Sequence, residues 1–209
     1  MDAHTHILQY LRWIHFMAGI TWIGLLYFFN VVNGHFQAAL DADTRTKVVP
    51  ELMPRALWWF RWGAMVTLIS GLLYIFWSKW ITTWGQPGMG GFFGSQGLWS
   101  SSWGGWITLG SSFGIIMWFN VWFIIWPAQK KIITWTKAGQ SPPERAKLAS
   151  RATKTSRVNT YLSVPLLFAM GGASHFATFG WLSAILVVLV GFIIVWVFVS
   201  VAKNVGTKV

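Results

Sequence analysis

Five long apolar segments, separated by polar or glycine-rich connections, dominate the pattern of the chain. They cover about residues 7–32, 56–77, 103–126, 158–177 and 181–202. A helix needs roughly 20 apolar residues to cross about 30 Å of hydrocarbon, and each segment reaches that length. The pattern therefore predicts an all-α integral membrane protein, a bundle of five transmembrane helices that forms a single domain over residues 1–209.

The composition supports this prediction and excludes several kinds of function. Hydrophobic residues make up 55% of the chain and charged residues 10%, whereas a soluble domain is about 25% charged. The chain has no cysteine, which excludes disulfides, zinc–thiolate sites, iron–sulfur clusters and covalently attached c-type haem. No nucleotide-binding or nucleophile-elbow motif occurs and no carboxylate lies mid-segment, so a stand-alone enzyme or ion pump is not expected and no catalytic residue is predicted.

The basic residues predict the orientation. Of the 16 Lys and Arg residues, 14 lie on the side shared by the loops after segments 1 and 3 and the C-terminal tail; only Arg12 and Lys79 lie toward the other side. By the positive-inside rule the N-terminus is outside and the C-terminus is cytoplasmic, as in a bacterial inner membrane. The expected partners are the lipid bilayer and other membrane subunits, and no nucleic acid.

Two connections carry further expectations. In the basic loop, Ser141 and the prolines after it predict the start of a short interfacial helix. The loop from Thr82 to Trp106 is uncharged and rich in glycine and aromatic residues, which suits a surface lid or a docking face. Most of the 17 tryptophans, Trp106 among them, are interpreted as an interfacial belt.

Histidines inside the segments are the candidates for chemistry. An ionisable residue within a span is costly and indicates a functional site with a partner. His15 in segment 1 and His175 in segment 4 both fall in the external half, and each has glycine one turn away. Two imidazoles from different helices are the usual way in which a bundle holds haem b. The candidate cofactor-binding residues are His15, His175, Gly19, Gly171, Gly172 and Arg12, with both histidines as haem-iron ligands. Arg12 either binds a haem propionate or extends to the external headgroups.

Other interpretations of these residues stay open. Glycine at such spacing also brings helices into contact, and a buried histidine can hydrogen-bond across that contact. His4 and His6 near the N-terminus form an H-x-H pair that could join His15 or His175 in a copper or zinc site. In the other half of the membrane, three asparagines are predicted to hydrogen-bond between helices, namely Asn30, Asn33 and Asn120.

Several motifs resemble one family. They are "RWIHFMAGITWIGLLYFFN", "RALWWFRWGAMVTLISGLLYI", "NVWFIIWPAQKKI" and, most specifically, "SRVNTYLSVPLLFAMGGASHF". They resemble the N-terminal membrane region of membrane-bound bacterial urate oxidases, which a cytochrome c domain follows in the full-length enzymes. This chain has no C-x-x-C-H run and resembles the short, stand-alone members. The resemblance carries the motif histidines over as His15 and His175 and implies a membrane redox context.

Three hypotheses follow from the sequence. The first is a membrane subunit for electron transfer in a larger respiratory or photosynthetic complex, with haem b as its candidate cofactor. The second is a cofactor-free structural or assembly subunit of a membrane complex. The third is a membrane enzyme that oxidises urate.

Overall fold

The computed structural model describes residues 2–79, 95, 97–176 and 178–205, and these ranges contain α-helices and no strand. Most of the glycine-rich loop, residues 80–94 and 96, lies outside the described residues. The all-α prediction is confirmed. The α-helices in the described ranges are α1 Ala3–Tyr27, α2 Gly34–Ala39, α3 Ala42–Lys79, α4 Ser102–Phe119, α5 Trp126–Lys137, α6 Glu144–His175 and α7 Trp181–Ala202.

Two π-helical segments join neighbouring helices into longer rods. Phe28–Asn33 connects α1 to α2, and Asn120–Ile125 connects α4 to α5. The joined rods span Ala3–Ala39 and Ser102–Lys137. A short 3₁₀ turn, Leu98–Ser100, precedes α4.

Four helices among the described residues are long and apolar enough to cross a membrane. They are Ala3–Ala39, Ala42–Lys79, Ser102–Lys137 and Trp181–Ala202. They contain the first, second, third and fifth predicted segments, so the chain is a helical, multi-pass membrane protein. The fourth segment lies in α6, which has 32 residues but a more polar composition.

The helices extend beyond the predicted segments. Helix α3 begins at Ala42, well before residue 56, where the second predicted segment starts. The prediction of a short interfacial helix after Ser141 is wrong, because α6 runs without interruption from Glu144 to His175, and Pro143 takes the N-cap position without a side-chain cap. No glycine or proline occurs between Glu144 and Pro165 to break it.

Neighbouring helices pack antiparallel. His4 of α1 meets Trp77 of α3 at one end of the bundle, while Asn33 contacts the sulfur of Met53 near the other. We call the first end, where α1, α4 and α7 begin, the aromatic end. The second, where α3 and α6 begin, is the basic end. The contact from Asn33 confirms that this residue bonds between helices.

The centre of the bundle is an apolar cluster that α1, α3, the α4–α5 rod and α6 share. Its buried members include Trp22 and Leu26 of α1, Phe60 of α3, Met117 of the α4–α5 rod and Leu166 of α6. Burial of such side chains holds these rods in register through close packing, which is the main source of helix association in lipid.

Polar side chains link the same rods nearer the basic end. The Asn30 amide donates to the Ser156 hydroxyl at 2.8 Å, which joins α1 to α6. Asn120 donates to the Asn159 side-chain oxygen at 2.7 Å, and Asn159 donates to the Met117 carbonyl at 2.9 Å. The predicted interhelical bonding of Asn30 and Asn120 is confirmed. Asn30 lies in the π segment Phe28–Asn33, and Asn120 lies in the π segment Asn120–Ile125.

One close helix contact requires glycine. A Cβ atom on Gly191 of α7 would lie 2.7 Å from the Cδ of Pro165 in α6. Pro165 is fully buried there, so α6 and α7 are in close contact where one has no side chain and the other has a rigid ring.

Candidate functional site at the aromatic end

His15 faces α3 and is hydrogen-bonded to it. Its Nδ1 lies 2.9 Å from the carbonyl oxygen of Thr67, and the Ser70 hydroxyl lies 3.5 Å from the same nitrogen. A carbonyl oxygen can only accept, so Nδ1 carries the proton and the lone pair of the neutral ring is on Nε2. The histidine is thus partnered across a helix contact, as one of the two interpretations from the sequence expected.

The glycine that faces the His15 ring is Gly71 of α3. A Cβ atom there would lie 2.9 Å from Cε1 and 3.0 Å from Nδ1 of the ring. By contrast, a Cβ atom on Gly19 would meet nothing within 4 Å. A helical side chain projects outward and toward its own N-terminus, so His15 covers the backbone of the neighbouring helix and not Gly19, one turn later. Sequence reasoning missed Gly71.

Arg12 lies one turn before His15 and also reaches α3. Its Nη2 donates to the Tyr74 hydroxyl at 2.6 Å, and its Cζ lies 5.3 Å from the centroid of that ring. Nearer the N-terminus, Trp77 Nε1 donates to His4 Nδ1 at 3.0 Å. We call this row the polar seam; its members are His4, Arg12 and His15 on α1, and Thr67, Ser70, Tyr74 and Trp77 on α3.

His175 is exposed at the last turn of α6. Of its two neighbouring glycines, Gly171 is exposed and faces open space, whereas Gly172 is buried. A Cβ atom on Gly172 would lie 3.2 Å from Cε1 of Phe168 and 3.7 Å from Cβ of Phe176. Phe168 and Phe176 therefore cover the backbone of Gly172, one of the candidate cofactor-binding residues.

Trp106 lies in an aromatic cluster with Phe168, Phe176 and Phe179. Its ring centroid lies 5.5 Å from that of Phe168, 5.8 Å from Phe176 and 5.2 Å from Phe179, all edge-to-face. Trp106 is 0% exposed, so its assignment to an interfacial belt is wrong. The Phe179 backbone N–H donates to the Ser102 hydroxyl at 3.0 Å, which ties the α6–α7 turn to the start of α4. The tryptophan is buried because the turn folds over it.

The candidate ligands belong to different helix pairs. Helix α1 packs mainly on α3, and α6 packs mainly on α4. Within the described ranges, no hydrogen bond or ring contact joins His15 to His175. The same part of the chain brings together no group of three or more His, Cys, Asp or Glu residues that could hold a metal ion. His4 is bonded to Trp77, and His6 stacks on Tyr10 with centroids 6.4 Å apart.

Fold and site together define a multi-pass helical membrane protein with its polar contacts inside the bundle. Residues 93–208, more than half of the chain, match the family described as urate oxidase N-terminal. The chain belongs to this family, which confirms the resemblance seen in its motifs. The matched range includes Gly171, Gly172 and His175; Arg12, His15 and Gly19 lie outside it. No curated protein and no solved structure matches the chain.

Proposed function

We propose that the protein is a five-span subunit of a larger membrane complex, in which α6 crosses the membrane in addition to the four helices named above. The polar residues that lower the hydropathy of α6 point into the bundle: Asn159, Thr160 and Ser163 are each 0% exposed. Each donates to a protein carbonyl, so none is an unsatisfied group in lipid. Exposed residues on the same stretch, such as Val158 and Leu167, are apolar.

We further infer that the aromatic end is outside and the basic end cytoplasmic. The support is the positive-inside rule, applied to a chain whose Lys and Arg residues gather at one end. Because the chain has no cysteine, an introduced one can be labelled uniquely. Ser174→Cys should react with an impermeant maleimide in intact cells, and Lys147→Cys only after permeabilisation. Labelling of both from the same side would refute α6 as a span.

A structural or assembly role, without a haem between His15 and His175, is the function that the geometry supports best. This role rests on one observation: within the polar seam, the His15 ring is hydrogen-bonded to the Thr67 carbonyl and packs on Gly71. A haem shared with His175 would require Phe168 and Phe176 to leave the Gly172 backbone. Helices tied by such contacts present fixed surfaces to other subunits.

Two measurements test this role. After mild detergent extraction, the protein should migrate with a larger complex in a native gel, and the purified chain should show no reducible b-type spectrum. His15→Ala should weaken the bundle but leave the complex assembled. A lone species under mild extraction would count against an assembly role, and haem released by pyridine extraction would count against a cofactor-free subunit.

Electron transfer through haem b is the second candidate, and the His15 tautomer favours it. Metal-ligating histidines donate one ring N–H to a carbonyl or carboxylate and ligate through the other nitrogen. His15 has its Nδ1–H on Thr67, and the lone pair that could ligate a metal is therefore on Nε2. This hypothesis expects a b-type spectrum that both His15→Ala and His175→Ala abolish. His35→Ala, at an exposed position in α2, is the matched control.

Urate oxidation follows only from the family description. It would require urate-dependent reduction of an added electron acceptor by the purified protein. Absence of that reduction, with the complex intact, would leave the assembly role standing.

A further inference from the structure

Arg61 of α3 lies between two tryptophans of the neighbouring rod near the basic end. Its Cζ is 4.0 Å from the Trp126 ring centroid and 5.6 Å from that of Trp122. Trp122 is itself fixed, because its Nε1 donates to the Arg61 carbonyl at 3.2 Å. The rings position the guanidinium through cation–π attraction but neutralise none of its charge.

This guanidinium has no acceptor in the part of the chain that the structure describes. Its Nε is buried without a hydrogen-bond partner. The two salt bridges of α3 are made elsewhere: Lys47 binds Asp43 at 2.6 Å, and Arg55 binds Glu51 at 2.7 Å. A partly buried cation with no carboxylate partner among the described residues is stabilised by an anion that approaches it.

A second cation follows on the same rod. Lys130 comes one turn after Trp126 on the same face of α5 and is exposed. It adds positive charge to the rod that carries the two tryptophans, which favours anionic headgroups near it.

We propose that Arg61 binds the phosphate of an anionic phospholipid headgroup. The planar guanidinium fork matches phosphate oxygens in a bidentate manner. A lipid is favoured over a soluble anion because exposed Trp58 and Trp59 lie next to Arg61 on α3, and tryptophans gather at headgroup depth. Basic pockets between membrane helices are typical sites for such headgroups.

Arg157 of α6 also has a buried Nε without a partner. Its guanidinium makes no aromatic contact within the described ranges, in contrast to that of Arg61. The tryptophan pair is what distinguishes the Arg61 site from a basic side chain that only extends to the headgroups.

The test is lipid retention by the purified full-length protein in detergent, measured by native mass spectrometry. Phosphatidylglycerol and phosphatidylcholine are added in titration, each with and without inorganic phosphate. The wild type should retain phosphatidylglycerol in preference to phosphatidylcholine. Arg61→Gln should weaken phosphatidylglycerol binding about tenfold or more, the effect of losing hydrogen bonds to a charged group.

Arg55→Gln is the matched control, because it removes a cation of α3 that already has Glu51 as its partner. It should leave lipid retention unchanged. Equal losses in both variants, or no loss in Arg61→Gln, would overturn the proposal. Displacement of the lipid by millimolar phosphate would assign the site to a soluble anion and would overturn it as well.

Arg61→Lys keeps the charge without the planar fork and serves if Arg61→Gln does not fold. It should bind phosphatidylglycerol more weakly than Arg55→Gln, and equal binding would refute the proposal. The inference uses only the membrane insertion of α3 and α5. Reversed cysteine labelling would disprove the proposed orientation and leave this site intact.

Discussion

Replacement of Gly71 with alanine tests the contact between Gly71 and the His15 ring, which lies in the polar seam. The new Cβ would lie 2.9 Å from Cε1 of His15, closer than carbon atoms pack, so the ring must move. Movement of the ring breaks its bond to the Thr67 carbonyl, which is 2.9 Å long. The same substitution at Gly19 meets open space and serves as the control on the facing helix.

The two variants should change stability in opposite directions. Alanine in place of glycine stabilises a helix interior by about 1 kcal/mol, and this is the whole expected effect at Gly19. At Gly71, overpacking costs about 1–3 kcal/mol, and a lost interhelical hydrogen bond costs about 0.6 and at most about 1.7 kcal/mol. The net result is a destabilisation of about 1–3 kcal/mol for Gly71→Ala.

The assay is reversible unfolding in mixed micelles with increasing dodecyl sulfate, followed by circular dichroism. In a His15→Ala background, Gly71→Ala should lose its cost because no ring remains to clash, so the pair forms a double-mutant cycle. If Gly71→Ala were as stable as Gly19→Ala, or equally harmful with and without His15, the ring would not lie on Gly71. The contact between His15 and Gly71 in the polar seam would then be wrong.

Two further predictions concern other parts of the fold. Asn120→Ala and Asn159→Ala should be coupled by about 0.6 kcal/mol and at most about 1.7 kcal/mol in the same unfolding assay, and strict additivity would contradict their hydrogen bond. Bonds from the Thr44 side chain and backbone N–H hold the pKa of Asp41 below its ordinary value of 3.8. The stability that Asp41 adds to the start of α3 is therefore complete above pH 3.8 and is lost as the pH falls through the lowered pKa. Hydrogen exchange in the first turn of α3 should show this loss in the wild type and not in Asp41→Asn, which caps without titrating.

The spacing of residues along a helix predicts which of them share a side of that helix, but not which neighbouring helix they contact. Arg12 and His15 are three residues apart, a spacing that puts them on one side of α1, and in the structure both contact α3. The sequence of α1 contains no information about which helix lies opposite, so Tyr74 and Gly71 were not predicted. The asparagines were predictable because an amide inside a membrane helix has few alternatives to a partner on another helix.

In the proposed five-span topology, α6 shows why composition alone misjudges a helix of this kind. Hydropathy averages every side chain of a window, but lipid contacts only one side of a helix in a bundle. In α6 the polar groups of Asn159, Thr160 and Ser163 are turned inward and bonded, so they do not oppose insertion as their average suggests. The same principle applies to His15: a polar group inside a membrane bundle requires a partner, and a backbone carbonyl of the adjacent helix meets that requirement. An ionisable residue in a span therefore indicates a specific contact inside the protein. The atom that it contacts decides whether the residue stabilises the bundle or takes part in chemistry.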